Sequence, residues 1–553
     1  MPNIIIREVD LTTPGVNEVV TTNAAYIPGY AVTGPVNIPT LCETVEEFES
    51  IFGLMPYVFK NDQTHEEEVV DGKDTKTVTI IDVYAGDYEK SYIYAKQILR
   101  AGVPVLFERV MDPGNISTLT PSATLKSVGT DSETSVDVMK LESIYPGYAN
   151  TSVYYTLNRT EVKKKDETPA YQYTLSVGRT KGSVEKVTPV NTYFVIDEEI
   201  ADDKFVAYSR LSGQVDNSGL VKIAFTDTIK KGIAEVSTET HLTFPQAQEN
   251  ADEFTIDTLS TQLAPEEKWK RLEDRGEYNL KFLTFGSYIP TGAIYKQMIK
   301  SAATRGDCTA LIDVEDTGVD TFISDIPANK ITITVNDRDE DGYSYAAVFT
   351  PSSNYYCETV EKNIDMPGSY AYLTCLGPSS TDYNNYAAVA GVNRGLVKNL
   401  NRVNETISTA KMDEYQSREG VSVNPIMNVR PYGYCIWGNR TLKDNSVAGE
   451  LMATSFLNVR QLVSDVKKVV YAAAKSLTFE QNSDVLWINF KSKVIPTLEG
   501  MKSGNGLSDY KIERLTTNKR ATVKAKITLY VVEAVEDWDF TIEISDSTVL
   551  ISE

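Results

Sequence analysis

Histidine is almost absent from this chain of 553 residues, which contains only His65 and His241. His65 lies in an acidic stretch and His241 in a strand-rich region, so neither belongs to the segment in which strands and helices alternate. A serine hydrolase needs a histidine held between its nucleophile and its acid. We therefore expect that the protein is not an enzyme.

Cysteine is also sparse, and its spacing argues against two kinds of site. The five cysteines are widely scattered and lack CxxC spacing, which disfavours both a disulfide framework and a zinc site. Residues 337–342 carry the first carboxylates of a calcium loop, but Val348 stands where the bidentate acid belongs. Glycine-rich residues 500–506 lack the spacing that cradles phosphates. We interpret these two segments as a hairpin turn and a loop, and expect no metal and no cofactor.

Long apolar runs and an excess of positive charge are both missing. No apolar run approaches the roughly 20 residues of a membrane helix, and the first residues lack the basic start of a signal peptide. We therefore expect a soluble protein without membrane insertion. The formal net charge of −23 argues against direct nucleic-acid binding.

The charge is distributed unevenly along the chain. Residues 394–526 contain 21 basic and 12 acidic side chains, whereas residues 527–553 contain seven acidic side chains and no basic one. A basic domain within an acidic chain is either a solvated surface or a region that steers the protein towards an acidic partner.

Strand-like segments occupy both ends of the chain. Residues 3–9 form a short apolar run before a turn signal, and two segments near the C-terminus alternate apolar and polar residues, which is typical of half-buried strands. A terminal strand needs a sheet to join, and an unpaired sheet edge offers free N–H and C=O groups, so we predict that both arms add strands to neighbouring copies. The apolar residues are Ile4, Ile5, Ile6 and Val9 in the N-terminal arm, Val523, Ala525, Ile527, Leu529 and Val531 in the inner strand, and Phe540, Ile542 and Ile544 in the C-terminal arm.

Four units are predicted between these arms, because a chain of this length exceeds a single core. Short Val/Thr/Tyr-rich runs indicate antiparallel strands, and alternation of strand, helix and strand indicates α/β structure, with strands at 330–335 and 343–349 extending one sheet. We predict a multidomain protein of the α/β plus β class. Its parts are an N-terminal arm (1–20), a mixed α/β domain (21–114), an antiparallel β-sandwich (115–265), an α/β domain (266–393), an α+β C-terminal domain (394–535) and a C-terminal arm (536–553).

The clearest single element is an amphipathic helix over residues 457–476. Five valines, one leucine and one alanine form one stripe, and basic residues lie broadly opposite. A second helix begins near Ser483 and contains Pro496. The basic residues on these two helices, which either are solvated or face an acidic partner, are Arg460, Lys467, Lys468, Lys475, Lys491 and Lys493.

Several sequence blocks resemble one known family. In the C-terminal half, Asn424-Pro425-Ile426 is followed by residues 433–442 (GYCIWGNRTL) and residues 457–462 (LNVRQL). Weaker blocks lie at 34–53, 145–150 and 385–395. In this order they resemble the contractile tail sheath proteins of bacteriophages and of related injection machines.

The resemblance implies more than the residues alone establish. It implies a subtilisin-like topology without a catalytic triad in the α/β domain, and a C-terminal domain that faces a tail tube and whose sheet accepts the arms of neighbours. It also implies a helical homopolymer of stacked hexameric rings, with tail tube, baseplate and tail terminator proteins as partners. The protein would be assembled in the host bacterial cytoplasm and end in the virion tail.

Three alternatives stay open at this point. The chain could form the sheath of a contractile injection system that is not a phage. A capsid-decorating or receptor-binding structural protein would bind heads or cells instead of forming tubes. A secreted-effector or hydrolytic α/β enzyme, disfavoured by the missing histidine, would turn over ester or peptide substrates.

Overall fold

The computed structural model describes most of the chain between Ala24 and Ala534. The predicted arms and their residues Ile4, Ile5, Ile6, Val9, Phe540, Ile542 and Ile544 lie outside the described residues. The described ranges are 24–31, 33–53, 64–71, 74–81, 87–116, 120, 122–126, 137–146, 153–163, 169–181, 185–186, 190–195, 214–215, 219–225, 240–242, 256–335, 338–358, 362–382, 386–446, 449–517 and 522–534.

The described part of the first region, residues 24–116, contains two α-helices beside its strands. The first helix is capped through a Thr-x-x-Glu spacing, because the Thr44 hydroxyl accepts from the N–H of Glu47 at 3.1 Å. The Glu47 carboxylate accepts in turn from the N–H of Glu43 at 2.8 Å. The elements are β1 (Ala25–Gly29), β2 (Thr40–Cys42), α1 (Val45–Phe52), β3 (Thr64–Asp71), β4 (Asp74–Ile81), α2 (Asp87–Arg100) and β5 (Val105–Arg109).

The second region, within residues 122–242, is built from antiparallel strands, as predicted. These are β6 (Ser122–Lys126), β7 (Asp137–Ser143), β8 (Val153–Lys163), β9 (Pro169–Lys181), β10 (Glu185–Lys186), β11 (Val190–Val195), β12 (Gln214–Val215), β13 (Val221–Phe225) and β14 (Thr240–Leu242). One sheet has the order β12-β13-β7-β6, and the other has the order β10-β9-β8-β14 with β11 also paired to β9.

The third region alternates helices and strands. Its elements are α3 (Ile256–Leu263), α4 (Glu266–Lys270), β15 (Phe282–Leu283), α5 (Gly292–Arg305), β16 (Thr309–Ile312), α6 (Val319–Asp325), β17 (Thr332–Val335), β18 (Arg338–Asp341), β19 (Ala346–Thr350), β20 (Ser353–Cys357), β21 (Lys362–Met366), α7 (Gly368–Asp382), α8 (Gly391–Arg394), β22 (Leu400–Val403) and α9 (Thr409–Tyr415). Gly306 ends α5 with a φ of 71°, between Arg305 and Asp307, whose buried side chains form an ion pair at 2.7 Å.

Two predictions about this region are wrong. β17 pairs with β18 as a separate two-stranded hairpin, so residues 330–335 do not extend the main sheet. Consequently residues 338–341, predicted as part of a solvated turn, are strand, and the half-buried Asp341 carboxylate accepts from the N–H of Tyr343 at 3.0 Å.

The last region supplies two long helices and two hairpins. Its elements are β23 (Asn424–Val429), β24 (Gly433–Ile436), α10 (Leu457–Ser476), α11 (Asp484–Ser503), β25 (Leu507–Leu515) and β26 (Lys524–Val531). Both helices confirm the sequence prediction, and α11 begins where the Ser483 hydroxyl accepts from the N–H of Leu486. None of the described helices combines the length and apolar character needed to span a bilayer.

An eight-stranded sheet joins three of these regions. Its order is β2-β5-β1-β15-β16-β19-β23-β24, and the inner pairings from β5 to β23 are parallel. Strands β1, β5, β16 and β19 are buried along their whole length, as expected for parallel strands that are covered on both faces. Strands from the segments 21–114, 266–393 and 394–535 thus belong to one sheet, while the division of the chain into domains stays a prediction.

Candidate functional site

The hairpin β25–β26 is an incomplete sheet within the described part of the chain. Its two strands pair antiparallel from Leu507 opposite Val531 to Leu515 opposite Lys524, and no other described strand pairs with either. A two-stranded ribbon is at best marginally stable in water, and each outer edge presents a row of backbone donors and acceptors. The hairpin is thus a place where further strands can be added.

One face of this hairpin rests on a second hydrophobic core. The core is built from α10, α11 and β25 and is separate from the core around the main sheet. Of the predicted inner-strand residues, Ile527, Leu529 and Val531 are half-buried, whereas Val523 and Ala525 are exposed. The core residues are Leu462, Val466, Ala473, Val494, Leu498, Met501 and Leu507, with Ile512, Leu529 and Val531 among those packed against them.

Exposed apolar side chains concentrate around the same helices and hairpin. Among the described residues, 15 large hydrophobic side chains are exposed, and eight of them lie between residues 471 and 532. Phe479 is fully exposed after α10, and Val485 and Ile488 are about 60% exposed on α11. Contiguous exposed apolar patches mark interaction sites, so these residues are candidates for contact with another molecule. The eight are Tyr471, Phe479, Val485, Ile488, Leu515, Val523, Tyr530 and Val532.

The predicted cationic face of α10 is wrong at two positions. Arg460 and Lys468 are 5% and 6% exposed, so neither side chain is displayed to a partner. The Arg460 guanidinium donates to the Ser344 hydroxyl at 2.8 Å and lies 4.0 Å from the centre of the Tyr345 ring. The sequence pattern placed both side chains on the polar side of the helix. It could not reveal that Asn279, Ser344 and Tyr345, which are distant in the sequence, cover them.

The remaining predicted basic residues are more accessible. Lys467 is half-buried and donates to the Tyr345 hydroxyl at 2.9 Å. Lys475 is exposed near the end of α10, and Lys491 and Lys493 are half-exposed on α11. Of the six predicted basic residues, the last three are the ones that can offer positive charge to a partner.

A buried ion pair that the sequence analysis missed fixes α10 to the main sheet. Lys281 Nζ lies 2.9 Å from Asp465 Oδ2, and both side chains are 1% exposed. Lys281 directly precedes β15, and Asp465 borders the apolar stripe of α10. A single lysine inside the apolar run 280–285 was the signal that could have revealed this contact.

Lys468 lies in the same buried cluster. Burial lowers the pKa of Lys468 to about 8, although the negative charges of Asp465 and Asp307 act to raise it. Its ammonium is 3.4 Å from the Asn279 side-chain oxygen. Below about pH 8 this lysine is charged in both the folded and the unfolded protein, and burying the charge lowers the stability of the folded state.

A serine and an aspartate that could suggest hydrolytic chemistry lie buried together between β16 and α7. The Ser369 hydroxyl and N–H donate to the two carboxylate oxygens of Asp313 at 2.6 and 2.9 Å, and the hydroxyls of Ser369 and Tyr94 are 2.8 Å apart. Ser369 and Asp313 are 1% and 3% exposed, which leaves no access for a substrate. The two histidines lie on β3 and β14, outside the main sheet. This arrangement holds the start of α7 against the end of β16.

Asp313→Asn tests this structural role through its pH dependence. Burial raises the pKa of Asp313 to about 7 in the folded protein, from 3.8 ordinarily. Between these values the folded state keeps a proton that the unfolded state releases, so the wild-type free energy of unfolding falls as pH rises, by at most about 1.4 kcal/mol per pH unit. The variant should lose this slope in urea titrations at pH 5.5, 6.5 and 7.5. Parallel curves for variant and wild type would contradict the assignment, and Asp325→Asn, at an exposed site, is the control.

The chain is similar to tail sheath proteins. Over 135 residues it is 29% identical to the tail sheath protein of Vibrio phage KVP40 and 27% identical to that of Enterobacteria phage T4. Each match covers 24% of this chain and 19% of the relative, so it spans about a fifth of the relatives' length. No protein-family model matches the chain.

A solved structure extends the likeness over the whole fold. The crystal structure of a sheath tail protein from Listeria innocua covers 93% of this chain and 96% of its own, with a TM-score of 0.51 and 9% identity. The fold is therefore one that a sheath tail protein also has. Together with the two phage relatives, it confirms the resemblance to tail sheath proteins that the sequence blocks indicated.

Proposed function

We propose that this chain is the structural subunit of a contractile tail sheath, which polymerises around a tail tube and drives the tube through a bacterial envelope. The observation that carries the proposal is the open β25–β26 hairpin in a chain that is similar to two phage tail sheath proteins. The hairpin can accept strands from neighbours, and the sequence pattern predicts strands near both ends of the chain that could be donated.

The arms link the subunits in this proposal. Residues 3–9 of one copy and residues 539–544 of another add strands to the edges of β25–β26. Such head-to-tail contacts do not close on themselves, so they propagate as a helical polymer, which we propose is a stack of hexameric rings. Backbone hydrogen bonds hold the arms while the subunit bodies re-pack around them.

Contraction then needs no nucleotide hydrolysis. The extended polymer is metastable, and the short form has the lower free energy because its subunits make more contacts. The parallel strands and helices of residues 266–393, which we propose have a subtilisin-like topology, form a rigid body without enzymatic activity. The α10, α11 and β25–β26 region faces the tube, and baseplate and tail terminator proteins bind the two ends of a sheath that is assembled in the host cytoplasm and carried in the virion tail.

Electron microscopy of the purified protein tests the proposal. Negatively stained samples, alone and with the co-expressed tail tube protein, should contain long hollow or filled tubes. Particles that decorate capsids or bind cells, without tubes under either condition, would instead support a decoration or receptor-binding role.

Reversing the accessible positive charges should weaken loading onto the tube. In the variant Lys475→Glu/Lys491→Glu/Lys493→Glu, repulsion from an acidic tube should reduce the tube protein that co-sediments with sheath about tenfold, equivalent to about 1.4 kcal/mol. Self-assembly without the tube should be unchanged. Lys467 and Lys468 are kept, because a glutamate at position 468 would be buried beside Asp465.

The matched control reverses three exposed lysines outside that set, at Lys270, Lys330 and Lys398. This variant should load as wild type does. Equal loading of both variants would remove the proposed cationic contact.

A further inference from the structure

A cavity of about 600 Å³ lies where three sequence blocks of the C-terminal half meet. It is bordered by the loop and short helix at 388–394, by α9 and the residues after it, and by residues 437–440 that follow β24. Its last lining residue is Ala534, which is also the last described residue before the C-terminus. The chain therefore reaches this cavity as it leaves β26.

The charged residues that line the cavity are mostly arginines. Arg394, Arg418 and Arg440 line it together with a single acidic residue, Asp413. Arg440 is 3% exposed, with its guanidinium 4.7 Å from the centre of the Phe456 ring, so Arg394 and Arg418 are the more accessible charges. Arg418 is exposed, and the Arg394 Nε donates to the Ala388 carbonyl at 2.7 Å, which anchors that guanidinium at the rim. Guanidinium groups bind carboxylates through paired, charge-assisted hydrogen bonds, so the chemistry of the lining suits an acidic peptide.

An aromatic surface lies beside these arginines. Trp437 lines the cavity and is 38% exposed, while its backbone N–H donates to the Pro425 carbonyl at 2.7 Å. The backbone of Trp437 is therefore fixed, and part of its side chain is exposed. An uncovered indole next to guanidinium groups favours a peptide that carries both an aromatic side chain and carboxylates.

The sequence that continues from Ala534 has this composition. Residues 535–553 contain six acidic side chains and no basic one, and Glu536, Asp537, Trp538 and Asp539 follow within five residues. Five extended residues span about 17 Å, which is sufficient to cross a cavity of this volume.

We propose that residues 536–539 bind in this cavity of their own subunit, with the carboxylates on the arginines and Trp538 against Trp437. The docked segment fixes the point and direction in which the rest of the C-terminal arm leaves the body. The docking concerns the unassembled subunit and is independent of the proposed function, whereas its consequence for arm placement rests on that function.

Amide hydrogen exchange of the full-length protein, measured on the monomer fraction, tests the docking. Peptides that cover residues 535–539 should exchange about tenfold more slowly than peptides of 545–553. Arg418→Glu should remove this protection, and the double variant Arg418→Glu/Asp537→Arg should restore it. Arg402→Glu, an exposed reversal on β22, should leave it unchanged.

Each contrary result has a defined meaning. Equally fast exchange of 535–539 and 545–553 in the wild-type monomer would overturn the docking. Protection that rises with protein concentration would overturn same-chain docking in favour of a neighbour's segment. Protection that Arg418→Glu leaves intact would overturn the charge-based recognition. Tube formation is not part of this readout, so the docking can fail while the sheath proposal stands.

Discussion

Deletion of residues 536–553 is expected to abolish tube formation and leave a folded, soluble monomer. Both described hydrophobic cores are built from residues before this segment, so the melting temperature should stay within a few degrees of the wild-type value. Sedimentation velocity and negative-stain microscopy would measure the loss of polymer, which should be complete because the arm supplies a strand to each contact along the helix.

A matched pair of triple variants tests whether polymerisation depends on the apolar face of the arm or only on its length. Replacing Phe540, Ile542 and Ile544 with serine should prevent polymerisation, because the period-two face that binds a neighbour is lost. Replacing Thr541, Glu543 and Ser545 with alanine, glutamine and alanine should preserve it. Long tubes formed by the truncated protein would exclude the C-terminal arm as a link between subunits.

Lys281→Met is expected to lower the free energy of unfolding by about 3 kcal/mol. Removing one partner of a buried ion pair leaves the other charge buried, which typically costs about 3–5 kcal/mol. The lower value applies here because Lys468 stays close enough to Asp465 to interact with it. Urea unfolding followed by tryptophan fluorescence measures the change.

Two further variants make the result specific. Lys281→Met/Asp465→Leu should recover most of the lost stability, because an apolar pair of similar volume avoids desolvating either charge. Lys300→Met breaks the exposed pair with Glu266 at 2.7 Å and should cost less than about 1 kcal/mol. Equal losses for Lys281→Met and Lys300→Met would mean that the buried pair does not hold α10 on the sheet.

Local signals in the sequence predicted local structure well. The apolar stripe predicted α10 at its observed bounds, and hydroxyl residues at Thr44 and Ser483 marked the starts of α1 and α11. The alternation in residues 523–531 predicted β26, whose inner residues are half-buried. These signals depend only on neighbours within a few residues, which the sequence displays directly.

Contacts between distant segments were harder to predict. β1 pairs with β15 although about 255 residues separate them, and nothing near Ala25 indicates that partner. The burial of Arg460 and Lys468 has the same origin, because their cover comes from residues more than 100 positions earlier. A long basic side chain on the polar side of a helix looks solvated until the facing surface is known.

A cryo-electron microscopy map of the assembled protein tests the central proposal most directly. It should reveal β25–β26 extended to at least four strands, with residues 3–9 and 539–544 of two other subunits at its edges. A map in which both edges are covered by the same chain, with no strand crossing between subunits, would contradict the account.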